Sequence, residues 1–133
     1  MFIFKSSERS GEFGFSGRQI KDALDKSQAI ISFTPEGIIL HANENFLSAT
    51  GYRLEDIVGK HHSIFCEDAY TRTEEYKDFW AELREGKFQS NSFKRTNRLG
   101  KAIYIQATYN PIHDADGNVV GVINIVRTLQ FPR

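Results

Sequence analysis

Between Asn43 and Glu85 the chain abandons strand-like alternation for helical spacing, and it returns to alternation after Gly86. This constrains the fold more than any other feature. A small helix, "FLSATGY", has Asn43 as its N-cap and Gly51 as its stop. A second short helix, "RLEDIV", is stopped at Gly59. A polar loop follows, and then the strongest helix of the chain, Thr73 to Arg84. There Tyr76, Phe79, Trp80 and Leu83 fall at i, i+3, i+4 and i+7. Short helices inserted into an antiparallel sheet make one concave face with a lid over it. That shape suits holding a small molecule better than turning one over.

The flanks supply the sheet. "AIISFTPEGIILHAN" reads as a hairpin, because Pro35-Glu36-Gly37 sets one turn angle with proline and supplies a positive φ with glycine. Three strands follow Gly86. "FQSNSFKRTN" leads to a turn at Leu99-Gly100. "KAIYIQATYNPI" alternates, with Ile103, Ile105 and Ala107 on one face and Tyr104, Gln106 and Thr108 on the other. "VVGVINIVRTL" closes the set after a turn at Asp116-Gly117, and Asn124 is the polar residue within it. Ser16 to Gln28 reads as a helix opened by a Ser16/Gln19 capping box, with a narrow stripe of Ile20, Ala23, Leu24 and Ser27. A narrow stripe on an end helix predicts docking on something, such as a second copy of the chain. The fold class is α+β, a five-stranded antiparallel sheet with short helices on one face and an N-terminal helix. Residues 1–15 read as a flexible lead-in, 16–129 as one domain, and 130–133 as the start of a linker to an output module. Its Gly11, Gly14 and Gly17 do not match a dinucleotide fingerprint.

Charge and cysteine narrow the function classes. There are 17 basic and 17 acidic residues, so nothing points to nucleic acid or an anionic membrane as partner. No apolar run is long enough to span a bilayer and no signal-peptide pattern opens the chain. Cys66 is the single cysteine and cannot form an internal disulfide, which fits a cytoplasmic location. Eleven Phe, five Tyr and one Trp can line a pocket as well as fill a core.

The stretches "SFTPEGIILHANENFLSATGYRLEDIVGK", "DFWAELREGKF" and "KAIYIQATYNPIHDADGNVVGVINIV" resemble a PAS domain over about residues 20 to 129. "GYRLEDIVGKHHSIF", "EYKDFWAELREGKFQS" and "KRTNRLGKAIYIQATYNPI" are similar to the N-terminal PAS domains of bacterial methyl-accepting chemotaxis receptors of the aerotaxis-transducer kind. The resemblance implies a sensor and not an enzyme. It implies a ligand or cofactor held between helices and sheet, homodimers, and an output that controls a histidine kinase through an adaptor.

The resemblance also names candidate cofactors. Trp80, in "FWAELREG", stands where flavin-binding PAS domains carry a tryptophan, which makes FAD the first cofactor expectation. Gln106 and Asn124 are the polar side chains that would read the flavin edge, and Asn91 is placed with them. The light-sensing pattern G-x-N-C-R-F-L-Q is broken, since "GKHHSIFCED" has His62 in place of the cysteine. A cysteinyl photoadduct is therefore not expected. Haem b is the alternative, with His61 or His62 as axial ligand, and a ligand-free dimerisation module is the third reading. The plain reading of both histidines is a polar loop, or a backbone cap for one of them. His62 with Cys66, and His41, His113, Asp114 and Asp116, are too sparse for a metal or acid–base site. Lys94, Arg95, Arg98 and Lys101 read as a solvated hairpin end.

Overall fold

The computed structural model describes residues 11–130. Of the lead-in expected at 1–15, residues 1–10 lie outside the described residues, as do 131–133 of the linker expected at 130–133; Gln130 still belongs to the last strand. In chain order the elements are α1 (Gly17–Ser27), β1 (Ala29–Phe33), β2 (Ile39–Ala42), α2 (Glu44–Thr50) and α3 (Leu54–Ile57). A 3₁₀ turn (His62–Phe65) comes next. Then follow α4 (Asp68–Thr71), α5 (Glu74–Arg84), β3 (Gln89–Thr96), β4 (Ala102–His113) and β5 (Val119–Gln130). The strands form one antiparallel sheet in the order β2-β1-β5-β4-β3, so the last strand lies in the middle. The fold is of the expected α+β class, with a five-stranded antiparallel sheet. The segment read as a polar loop differs: it holds the 3₁₀ turn and α4, and its His62, Phe65 and Cys66 are buried. No helix among the described residues is long and apolar enough to cross a membrane.

Local chemistry explains the boundaries. The Ser16 hydroxyl accepts from Gln19 N while the Gln19 side chain accepts from Ser16 N, a reciprocal cap on α1. The turn between β1 and β2 closes through Gly37 N to Thr34 O at 2.9 Å, with Gly37 at φ +87°. A Cβ there would stand 2.7 Å from His61 Nε2 and 3.1 Å from the Trp80 ring, so space as well as backbone angle requires glycine. On α5, Tyr76, Phe79, Trp80 and Leu83 are all buried, as their spacing predicts.

The core lies between the inner sheet face and the helices. Ile31 and Phe33 of β1, Ile103, Ile105, Ala107 and Tyr109 of β4, and Val122, Asn124 and Val126 of β5 face inward. Phe46, Ile57, Phe65 and the α5 stripe cover them. Asn43 holds the edge of this arrangement. Its Oδ1 accepts from Phe46 N at 3.1 Å and Ile30 N at 3.0 Å, and its Nδ2 donates to Gln28 O at 2.8 Å. One side chain thus caps α2 and ties it to β1 and to the end of α1. Asn43→Ala removes these three bonds and a fourth, from Nδ2 to Asp25 Oδ1, and is expected to lower the unfolding free energy by about 2 kcal/mol. Urea denaturation at unchanged m value checks this.

Candidate functional site

The backbone decides where His62 goes. Ile39 N donates to Lys60 O and His62 N to Gly37 O, each at 2.8 Å, which stitches residues 60–62 to the β1–β2 hairpin. His61 is half-buried, and its Nδ1 accepts from Ser63 N at 3.0 Å, capping the 3₁₀ turn. The next side chain, His62, is then directed under the helices and is 1% exposed.

A buried imidazole needs partners for both nitrogens, and they come from distant parts of the chain. His62 Nδ1 lies 2.8 Å from the Tyr76 hydroxyl and Nε2 lies 3.0 Å from the Tyr109 hydroxyl. Arg95 donates to the Tyr109 oxygen from Nε and Nη2, at 3.4 and 3.3 Å. That oxygen is an acceptor for Arg95, so its own proton is directed at His62 Nε2. The assignment makes His62 the Nδ1–H tautomer, donating to Tyr76. Burial, and then the Arg95 and His61 charges, hold the His62 pKa well below the usual imidazole value. Burial raises the Tyr76, Tyr109 and Cys66 groups, so the phenols and the thiol stay protonated. Burial alone would lower Arg95, but Tyr109, Cys66 and Tyr70 outweigh it and the guanidinium stays charged.

Against this thread sits a chamber of about 20 Å³, lined by Phe46, Thr50, His62, Phe65, Arg95, Thr96, Ile103, Ile105, Tyr109 and Asn124. Such a volume holds about one water molecule. Asn124 Oδ1 is buried beside it without a hydrogen-bond partner. Beyond Arg95 opens a cleft of about 270 Å³ lined by Glu67, Tyr70, Glu75, Ser92, Phe93 and Lys94. A larger groove of about 700 Å³ runs past Asn43, Tyr52 and Arg53, but it is a solvent-open surface away from the buried polar cluster.

The candidate residues divide. His62, Trp80 and Asn124 gather at the inner face; the Trp80 ring meets His62 at 5.4 Å and Phe33 at 5.6 Å. The Trp80 indole N–H lies near the Tyr76 hydroxyl without making a well-formed hydrogen bond. His61 stays at the rim, 6.0 Å from the Trp80 ring. Gln106 does not point inward: it sits on the outer sheet face and accepts from Ser92 Oγ at 3.0 Å. The pleat explains this, because Ile105 and Ala107 on either side of it are buried. Asn91 is exposed and accepts from Ser92 N. His62 is no polar loop residue, and Arg95 is no part of a solvated hairpin end. Arg95, Tyr76 and Tyr109 were not singled out as site residues. The parity of β3, where Arg95 shares a face with Phe93, was the one available signal for Arg95.

As the side chains stand, the residues do not fit a haem or a flavin ring. The chamber has room for a water, and both His62 nitrogens and His61 Nδ1 are engaged, which leaves no free axial lone pair on the buried ring. No group of three His, Cys, Asp or Glu side chains able to hold a metal is present among the described residues.

Comparison with known proteins agrees with this architecture. The family model described as PAS fold matches residues 39–126. The chain is 45% identical over 101 residues to the biofilm dispersion protein BdlA of Pseudomonas aeruginosa, covering 76% of this chain and 24% of that protein. It is 29% identical over 109 residues to the bacterioopsin transcriptional activator of Halobacterium salinarum, covering 78% of this chain and 16% of that protein. The chain thus spans a quarter or less of the curated relatives it matches. Among solved structures, a PAS domain from Colwellia psychrerythraea superposes with a TM-score of 0.71 at 18% identity, covering 83% of this chain and 93% of that one. A light-oxygen-voltage domain described with a flavin analogue gives 0.68 at 19% identity, covering 86% and 85%.

The depressed His62 pKa has a consequence for stability. The folded protein resists protonating this ring, whereas the unfolded chain takes up the proton near the ordinary value of about 6.5. Stability is therefore full above that pH and falls as the pH drops toward the depressed folded value. The expected loss is about 1.4 kcal/mol per pH unit in that window. Urea denaturation of the protein beside His62→Phe isolates it, since the variant lacks the titrating group.

Proposed function

The chain belongs to the PAS-fold family, and from that premise we propose that it is a sensory module which binds a small molecule by widening the water-sized chamber beside His62, Tyr109, Arg95 and Asn124. Binding rearranges the hydrogen bonds of the chamber, and β5 and α1 carry the change to an output module. Asn124 carries this reading. Its Oδ1 is buried without a partner, which costs about 1–3 kcal/mol, and a ligand donor removes that cost. The proposed setting is the input domain of a cytoplasmic chemotaxis receptor, with a histidine kinase controlled through an adaptor. The proposed role is relay and not turnover. The His62 nitrogens are already engaged and the Cys66 thiol is held protonated, so the chamber has no ready base and nucleophile.

FAD is the second reading. The Trp80 indole N–H and Asn124 Oδ1, both buried and unsatisfied, favour it, as does the fold shared with light-oxygen-voltage domains. It requires His62, Tyr76, Phe79 and Tyr109 to part and open the chamber. When bound, a flavin would supply redox or light sensitivity.

Dimerisation belongs to the same proposal. None of the α1 residues is buried, and a groove of about 260 Å³ between Leu24 of α1 and Ile30, Ile123 and Ile125 on the outer sheet face is apolar.

A visible spectrum of freshly purified protein, before and after dithionite, separates the two ligand readings. No visible absorption is expected; a flavin spectrum that bleaches would establish FAD instead. Asn124→Ala is expected to weaken retention of the co-purifying ligand about tenfold, read by native mass spectrometry. Unchanged occupancy and unchanged kinase control in the full receptor would sink the reading. Leu24→Glu is expected to shift the protein from dimer to monomer in sedimentation velocity.

A further inference from the structure

The charge balance of the chamber is incomplete. Arg95 is 4% exposed, and no carboxylate among the described residues forms an ion pair with it. Its N–H groups reach the Tyr109 hydroxyl and the Lys94 carbonyl, and its cation lies 4.7 Å from the Phe93 ring centre. Those partners are dipoles and a ring face, not a counter-ion. A guanidinium has five N–H donors; three make well-formed bonds, and the Tyr70 hydroxyl lies near the guanidinium without a well-formed one. Buried cations are ordinarily paired, because desolvation is costly without a matching anion.

The same guanidinium separates two spaces, lining both the chamber and the outer cleft. The chamber has no acidic side chain in its wall. The cleft has two: Glu67, which is paired with Lys94 at 2.5 Å, and Glu75, which makes no ion pair among the described residues.

We propose that Arg95 is the anion-binding residue of this site, and that the molecule sensed is a small monocarboxylate with a hydroxyl or amino group beside its carboxylate; it enters between β3 and the α4–α5 segment through the cleft of about 270 Å³, and the Arg95 side chain turns to open the water-sized chamber into that cleft. This rests on the reading of the chamber as a ligand site and names the ligand class. The planar guanidinium matches a carboxylate bidentately. The unpaired Asn124 Oδ1 takes the neighbouring hydroxyl or amino donor. Glu75 at the entrance repels a second negative charge, which selects a monoanion over a dianion. Arg95 turns with the bound carboxylate, so the Tyr109–His62 bond responds directly to occupancy.

Trp80 is the single tryptophan and packs on His62, so its fluorescence reports the event. The probes are sodium lactate, lactamide and sodium succinate, titrated at constant ionic strength into the 133-residue chain. Lactate should give a saturable change, lactamide none, and succinate a response at least tenfold weaker. Arg95→Met should abolish the lactate response, with the far-ultraviolet dichroism confirming the fold. Glu75→Gln, a surface change that leaves the core intact, should narrow the lactate–succinate gap severalfold, which keeps the test decisive even where Arg95→Met fails to fold. Equal binding of lactamide and lactate, or an undiminished response in folded Arg95→Met, would overturn the anion subsite and leave the chamber reading standing. No response to any probe, with a neutral molecule retained in native mass spectra, does the same. No response and nothing retained would take down both.

Discussion

The inner structure depends on one run of hydrogen bonds, from Arg95 through Tyr109 and His62 to Tyr76. Each member would be expensive to bury alone. The guanidinium fixes the Tyr109 oxygen as an acceptor, Tyr109 then fixes the tautomer of His62, and His62 fixes the acceptor role of Tyr76. The run joins the paired strands β3 and β4 to the 3₁₀ turn and to α5. It therefore sets the depth at which the helices sit on the sheet, while Phe33, Phe79, Trp80 and Phe93 fill the volume around it. Changing one member alters the proton arrangement of the next, a property that apolar packing alone cannot supply.

The helical insertion is placed by backbone bonds as much as by side chains. Residues 60–62 pair with the β1–β2 hairpin, and Gly37 leaves room for His61 and Trp80 to close over that turn. The lid is thereby pinned at one end. The cleft beside Arg95 lies at the other side, between β3 and the start of α5.

Wherever the governing interaction was local, the sequence was legible. The Ser16–Gln19 cap, the Pro35–Gly37 turn, the Asn43 cap and the four-residue stripe of α5 all act within a few residues, and all are found as read. The alternation of β4 also held, and it placed Gln106 outward, against its assignment to the ligand edge. What could not be read was the burial of polar letters. "HHSIFCED" looks like a loop because the partners that make His62 tolerable lie 14 and 47 residues away. Arg95 looks solvated beside Lys94 because Tyr109, which encloses it, lies 14 residues away, and only the face it shares with Phe93 hints at burial.

The central position of β5 bears on how the chain reaches this state. Ala29 pairs with Val126 and Phe33 with Val122, while the other edge of β5 pairs with β4. The hairpin made first during synthesis therefore waits, with one edge open, for the strand made last. Contacts so far apart in sequence close slowly, because the intervening loop must lose its freedom before any of them forms. Until β5 arrives, two half-sheets with unsatisfied edges coexist in one nascent chain. The interval before that strand is inserted is thus the period of greatest exposure to aggregation and to chaperones.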